Sequence, residues 1–372
     1  MTSRTGSPFN LSRRSLLATG LVGLAGLSGA GQVSALPQPV VFPRDYGSHP
    51  DFRTEWWYIT GYANAADPAG ARAFGFQLTF FRSRVAATQD MKSVFAARQL
   101  IFAHAALTDV RGKKLWHDQR IARSSGAGGF DVASASEKDT AIELRDWSLV
   151  HHNGGYTATL PASDFSLELQ FSETQAVLLQ GDQGLSRKGP ELQQVSHYYS
   201  QPQLAVRGNV RLKEQKFDVG SGSMAWLDHE WSNELLHPDA TGWDWIGMNL
   251  DDGSALTAFR LRDKAGNALW DGGSFRSPKG GLYVFSRGEV VFSPQRSWKS
   301  PLTQTLYPVE WIVRTPADFY TVKAVIDNQE LDSRASTGAI YWEGLSDLFD
   351  SNGRRVGRGY LEMTGYAHPL RL

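Results

Sequence analysis

The sequence predicts an all-β protein made of two antiparallel β-barrels that arose by duplication, and three observations predict it. The chain is aromatic and glycine-punctuated, with 12 Trp, 12 Tyr, 19 Phe and 37 Gly in 372 residues. Aromatic side chains suit a pleated, half-buried surface, and glycine supplies the turns between strands. Short strand-like runs recur along the chain, while no segment keeps a helical apolar stripe beyond a turn or two. Two hairpin signatures also match at identical spacing, about one domain length apart. Leu107-Thr-Asp109-Val-Arg-Gly112-Lys-Lys-Leu115-Trp116 aligns with Leu261-Arg-Asp263-Lys-Ala-Gly266-Asn-Ala-Leu269-Trp270. The aromatic surplus favours barrels over sandwiches, because a closed barrel can line an interior cavity with rings.

The first element is an address. Ser12-Arg13-Arg14-Ser15-Leu16-Leu17 precedes an apolar run from Leu16 to Leu27, and Val33-Ser34-Ala35 offers a small-residue cleavage site. A basic start, a short apolar middle and small residues at the cut make a signal peptide, and the paired arginines match the twin-arginine type. Residues 1–35 are therefore set apart from the fold, and cleavage near Ala35 delivers the mature chain to the periplasm or the exterior. No later apolar run is long enough to span a bilayer. The strands follow: Phe74–Phe81, Tyr156–Leu160 and Phe165–Phe171 in the first half, Leu282–Phe285 and Phe319–Ile326 in the second. Asn153-Gly154-Gly155 and Asp251-Asp252-Gly253 sit where hairpin turns belong. Ser200-Gln-Pro202-Gln reads as the break between halves, which places one barrel at 36–205 and the other at 206–372.

Composition narrows the function. Zero net charge removes the electrostatic footprint of a nucleic-acid binder. The absence of cysteine excludes disulfides, thiolate catalysis and Cys-ligated metal centres. Phosphate loops, dinucleotide fingerprints and a Gly-x-Ser-x-Gly elbow are also missing, so no cofactor and no ordinary serine hydrolase is expected.

The densest chemistry lies in Ala225-Trp226-Leu-Asp228-His229-Glu230-Trp231, close in sequence to Trp243 and Trp245. Trp is rarely exposed, and titratable groups are costly to bury unpaired, so together they suggest a walled pocket with perturbed acid–base groups. Glu55-Trp56-Trp57-Tyr58 and Trp342-Glu343 repeat the theme. A glutamate on such a strand is either an ion-pair partner or a general acid. Lys188, His197 and Tyr198 read as a domain-interface loop or a substrate rim, and His104, among alanines, as a core residue or a cavity-facing one. Asp228, His229 and Glu230 point alternately on a strand and cannot share one ion, and no His-Glu-x-x-His is present. No metal is expected, and a metal-dependent hydrolase is the minor reading.

Five segments carry a family resemblance: Phe42–Tyr58, Gly184–Lys188, Ala225–Trp231, Tyr341–Gly344 and Gly359–Tyr366. They resemble the AttH/CrtC-like family, whose name-giving enzyme is carotenoid 1,2-hydratase and whose bacterial members are often labelled secreted hydrolases. The resemblance implies two lipocalin-like barrels. It also implies protonation of an isolated carbon–carbon double bond, with water trapping the tertiary carbocation. The family's His-x-Trp is present as His229 and Trp231. The hydratases' Tyr-x-Asp has no counterpart, the equivalent strand reading Ala255-Leu-Thr-Ala-Phe-Arg260. A proton donor must then be Asp228, Glu230, Glu55 or Glu343. Two functions stay open: a cofactor-independent hydratase or cyclase acting on an isoprenoid-like molecule, and a carrier of such a lipid linked to an envelope transporter. In both, Trp56, His104, Lys188, His197, Tyr198, Trp226, Trp231, Trp243, Trp245 and Trp342 line an aromatic cavity near the contact of the two domains.

Overall fold

The computed structural model describes residues 38–67, 70–126, 131–234 and 236–370. The signal segment expected at 1–35 lies outside the described residues. The fold is all-β, with two antiparallel sheets and short 3-10 turns at Arg44–Tyr46 and Ala86–Thr88. No described helix is long and apolar enough to cross a membrane.

The first sheet holds β1 (Thr54–Ala65), β2 (Arg72–Arg84), β3 (Gln99–Asp109), β4 (Lys114–Ser124), β5 (Ala133–Ala135), β6 (Ala141–Leu144) and β7 (Trp147–His151). It continues with β8 (Gly155–Pro161), β9 (Phe165–Ser172), β10 (Leu178–Leu179), β11 (Leu185–Arg187), β12 (Val195–Leu212), β13 (Gln215–Asp218) and β14 (Met224–Ser232). The second sheet holds β15 (Gly242–Leu250), β16 (Ala255–Arg262), β17 (Ala268–Arg276), β18 (Leu282–Phe285) and β19 (Val291–Lys299). Its remaining strands are β20 (Leu306–Arg314), β21 (Phe319–Ala324), β22 (Glu330–Ser333), β23 (Ala339–Phe349) and β24 (Arg355–Met363).

The order of the first sheet is β4-β3-β2-β1-β14-β12-β9-β8-β7-β6-β5, and that of the second is β18-β17-β16-β15-β24-β23-β21-β20-β19. In each, four consecutive strands run outward from a pair formed by the first and last strands. The first sheet curls into a nearly closed, lipocalin-like barrel. Across its seam Asp118 accepts from the Ser163 amide at 3.1 Å, and Arg120 covers the Trp147 ring at 4.8 Å.

Two expectations need correction. The boundary does not fall at 205/206: β12 runs through it unbroken, and the sheets divide between Ser232 and Gly242. Pro202 sits at a bulge between Gln201 and Leu204 in the pairing of β12 with β14, just before β9 joins β12 at Ala205. A bulge tolerates a residue without an N–H, so a proline that reads as a linker is here a bend within one strand. The matched hairpins are also not equivalent. Asp109 ends β3, before β4, whereas Asp263 lies between β16 and β17, one hairpin earlier in the common order. The shared residues reflect the needs of a tight Asp–Gly turn: Asp263 accepts from the Ala265 and Asn267 amides.

Each barrel has its own core. Phe74, Phe76, Leu78 and Phe80 of β2 point into the first, with Trp147, Leu167 and Tyr199. Ile246, Val309, Trp311, Trp342 and Leu361 fill the second. A third cluster, with Tyr58, Trp226, Trp245, Phe259, Leu345 and Tyr360, lies where the outer faces of the two sheets meet. β2 is therefore covered on both faces, which explains its near-continuous apolar run. The sheets come so close at Gly75 that a Cβ there would lie 2.7 Å from the Tyr360 hydroxyl and 2.9 Å from Leu345 Cβ. Gly247 similarly leaves room for the rings of Trp245 and Trp226. Polar latches fix the contact: Gln203 N donates to Asn249 Oδ1 at 2.8 Å, and Asn249 Nδ2 to Ala225 O at 3.0 Å.

Candidate functional site

A cavity of about 340 Å³ lies between the outer faces of the two sheets, not inside either barrel. The barrel interiors are packed, and the chamber lies where the two sheets meet. Strand register arranges its first wall in two rows. One row runs Ser200, Asp228, Tyr58, Thr79, His104, Gln119 across β12, β14, β1, β2, β3 and β4. The next row on the same face runs Tyr198, Glu230, Trp56, Phe81, Phe102, Ile121. A polar row and an aromatic row thus lie side by side, two residues apart along every strand. The facing wall contributes one further row: Glu343, Glu362, Trp245, Phe259.

The carboxyls in this chamber are held in unusual states. Burial lifts Asp228 to about 7, against hydrogen bonds from Ser200 Oγ and Trp226 Nε1 that favour its charge. Glu343 is raised well above the ordinary range, first by burial and then by the charge of Glu362 directly opposite it. Glu362 is itself lifted to about 7 by burial, although Trp243 Nε1 donates to it at 3.1 Å. Two carboxyls face to face without a cation between them cannot both ionise cheaply. Glu230 differs, because Lys188 Nζ lies 2.9 Å away and also 4.3 Å from the Phe259 ring centre. His104 is neutral. Burial lowers it to about 3, and its two nitrogens bond Tyr341 and Ser336.

Asp228 carries a consequence for stability. Its folded pKa of about 7 stands above the ordinary 3.8. The native state therefore binds more protons than the unfolded chain between those values, and stability falls as pH rises through that window. Asp228→Asn is expected to remove this slope. In urea titrations the variant should gain on the order of 3 kcal/mol over the parent at pH 8, and little near pH 4. An equal difference at both pH values would refute the raised pKa.

The same alternation that builds the chamber takes other candidates out of it. His229 and Trp231 point into the first barrel, opposite to Asp228 and Glu230, so His229 cannot orient water in the chamber. His197 is stacked on Trp231 at 5.2 Å, also on the inner face. Glu55 borders the chamber, yet its carboxyl turns inward. It accepts from His229 Nε2 at 2.9 Å, His49 Nδ1 at 2.8 Å, Arg82 Nε at 2.7 Å and Ser48 Oγ at 2.8 Å. Burial alone would raise Glu55, but the hydrogen bonds of His229 and His49 and the Arg82 charge hold it far below the usual range. It is an ion-pair hub, not a proton donor. Trp342 lies in the second core, with Nε1 donating to Asp327 O at 2.8 Å. Trp226 supports Asp228 from beneath. Trp56, His104, Lys188, Tyr198, Trp243 and Trp245 do line the chamber.

His49, Glu55 and His229 stand close enough to share a metal ion. Arg82, however, already supplies the positive charge at Glu55, and both imidazoles present N–H groups to the carboxylate. A second cation would sit against that guanidinium.

Several lining residues were not among the sequence candidates: Tyr58, Phe81, Phe102, Phe259 and Tyr341. Glu343 sits mid-strand and Glu362 near a strand end, each beside apolar residues, which is a usable signal. Their pairing is not, because register joins residues from separate strands.

A family model described as AttH-like matches residues 34–366. A crystal structure of a candidate AttH protein from Nitrosomonas europaea is 43% identical, with 88% of this chain and 98% of that one covered and a TM-score of 0.80. Kievitone hydratase from Nectria haematococca shares the fold at 12% identity, with coverage of 90% and 95% and a TM-score of 0.68. CghA does so at 12% identity, with coverage of 89% and 94% and a TM-score of 0.50. No curated protein matches the chain by sequence.

Proposed function

The chain belongs to the AttH-like family, and from that premise we propose that its inter-sheet chamber adds water to, or cyclises, a small apolar alkene by proton transfer. The observation that carries this reading is the Glu343–Glu362 pair, placed opposite each other in an aromatic chamber without an ion-pair partner among the described residues. A carboxyl kept protonated at neutral pH is what an alkene requires as acid. A lipid carrier would gain nothing from it.

In the proposed reaction Glu343 gives its proton to one alkene carbon, and the adjacent carbon becomes cationic. The faces of Trp245, Trp56 and Phe259 stabilise that cation by about 0.5–2 kcal/mol each. A water molecule bonds to the cation and passes a proton to Asp228 on the facing sheet, whose pKa of about 7 suits a base at neutral pH. The row of aromatic side chains beside the polar row orients the apolar body of the substrate away from the acids. Trp226 and Ser200 hold Asp228 in place through the oxygen they share.

The test is isotopic. The purified chain is incubated in heavy-oxygen water with a panel of short isoprenoid alkenes, and the products are weighed by mass spectrometry. Gain of one labelled water, or an isomer of altered retention, is the expected result. Binding of the alkenes without either product would leave the carrier reading in its place.

A further inference from the structure

We propose that Tyr341, His104 and Ser336 form a proton relay that links Glu343 to the protein surface, a step that rests on the acid role given to Glu343 above. Glu343 and Tyr341 are two residues apart on β23, both line the chamber, and the hydroxyls of Tyr341 and Tyr58 bear on the Glu343 carboxyl as hydrogen-bond partners. His104 Nδ1 lies 2.9 Å from the Tyr341 hydroxyl, and its Nε2 lies 2.8 Å from Ser336 Oγ. Ser336 Oγ donates to Gln119 Oε1 at 2.6 Å. Gln119 borders a surface depression together with His117, Asp332 and Arg334. Tyr341 and Ser336 come from the second sheet and its β22–β23 turn, while His104 and Gln119 come from the first. The contact between sheets is therefore what completes the path.

A relay is needed because the substrate itself would fill the chamber and bar water from Glu343. Each turnover removes one proton from Glu343 and places one on Asp228, on the other wall. The hydrogen-bond directions follow from the state of Glu343. When it is protonated, its carboxyl donates to the Tyr341 oxygen, Tyr341 donates to His104 Nδ1, and Nε2–H donates to Ser336. When it is a carboxylate, every direction reverses: Tyr341 donates to Glu343, His104 carries its hydrogen on Nδ1, and Ser336 donates to Nε2. From this second state a proton taken from water by Ser336 allows four hops. Ser336 passes its own to Nε2, Nδ1 passes one to Tyr341, and Tyr341 passes one to Glu343. One proton enters, Glu343 regains one, and no relay group is left charged. The His104 tautomer therefore records the ionisation of Glu343 and must reset once per cycle. His104 itself stays neutral throughout, being buried between two hydroxyls. The other titratable groups facing the relay are His117 on β4, Tyr58 on β1, Tyr360 and Glu362 on β24, and Asp332 with Arg334 at its outer end.

The full chain labelled with nitrogen-15 histidine tests this directly by NMR. As pH rises from mildly acidic to alkaline, the protonated ring nitrogen of His104 should switch from Nε2 to Nδ1. The switch should vanish in Glu343→Gln and in Tyr341→Phe, both of which preserve shape. A single tautomer at every pH in the parent, or a switch that survives Glu343→Gln, would overturn the relay. Failure of the hydration reading is separable from this outcome, because the tautomer is read without any substrate. With a hydrated alkene in hand, Tyr341→Phe should lower kcat about tenfold and leave KM unchanged, whereas a merely structural Tyr341 would move neither.

Discussion

Glu343→Gln is expected to lower turnover by about 10²–10⁴-fold while the chain stays folded and still binds its alkene. Glutamine keeps the volume and one carbonyl oxygen but has no proton acidic enough to reach an alkene carbon. The loss should appear in kcat with KM nearly constant, as for an interaction made only in the transition state. Folding should not suffer, since glutamine is neutral without taking up the proton that burial and Glu362 force on Glu343. Denaturant midpoints for the variant should equal or exceed those of the parent at neutral pH. Retained turnover in a folded Glu343→Gln protein would transfer the acid role to Asp228 or Glu362.

The largest effect on stability is expected at Glu55. Its carboxyl is fully buried and joins Arg82, His49 and His229, of which Arg82 is 2% exposed. Glu55→Ala should cost about 3–5 kcal/mol, because it leaves a buried guanidinium without its counter-charge. The double variant Glu55→Leu with Arg82→Met should recover much of that loss, since an apolar pair of similar volume removes both charges together. Urea denaturation of the parent, both singles and the double forms the cycle that isolates the pair. A cost below about 1 kcal/mol for Glu55→Ala would show that the hub is not the internal brace described here. The contrast with Glu343 is instructive. Both are buried glutamates on aromatic strands, yet one is ringed by donors and the other faces another acid.

That contrast marks the limit of what the sequence could show. The all-β class and the clustering of Trp with Asp and Glu were legible from composition and period, whereas the doubled architecture rested on the family resemblance, the matched hairpins being non-equivalent turns. Glu55-Trp56-Trp57-Tyr58 and Asp228-His229-Glu230-Trp231 were each visible as chemistry-bearing strands. That they lie side by side, with Trp57 opposite His229 and Tyr58 opposite Asp228, was not. Period-two alternation separates Asp228 from His229, but it does not say which face looks into a core and which into a chamber. Only the arrival of β14 between β1 and β12 decides that, and the expected boundary at 205/206 concealed it. Glu55 stayed open between ion-pair partner and acid for a related reason: His49 lies nearby in the chain, but Arg82 and His229 come from distant strands.

The chamber is walled by the reverse sides of strands whose other sides hold the two cores. Folding information and ligand information are thus written on opposite faces of the same strands, in alternating letters. Phe81 and Phe102, for example, face the chamber, while their neighbours Phe80 and Ala103 pack in the first core. On such a scaffold the chamber lining can vary at the partly buried positions without touching either barrel core.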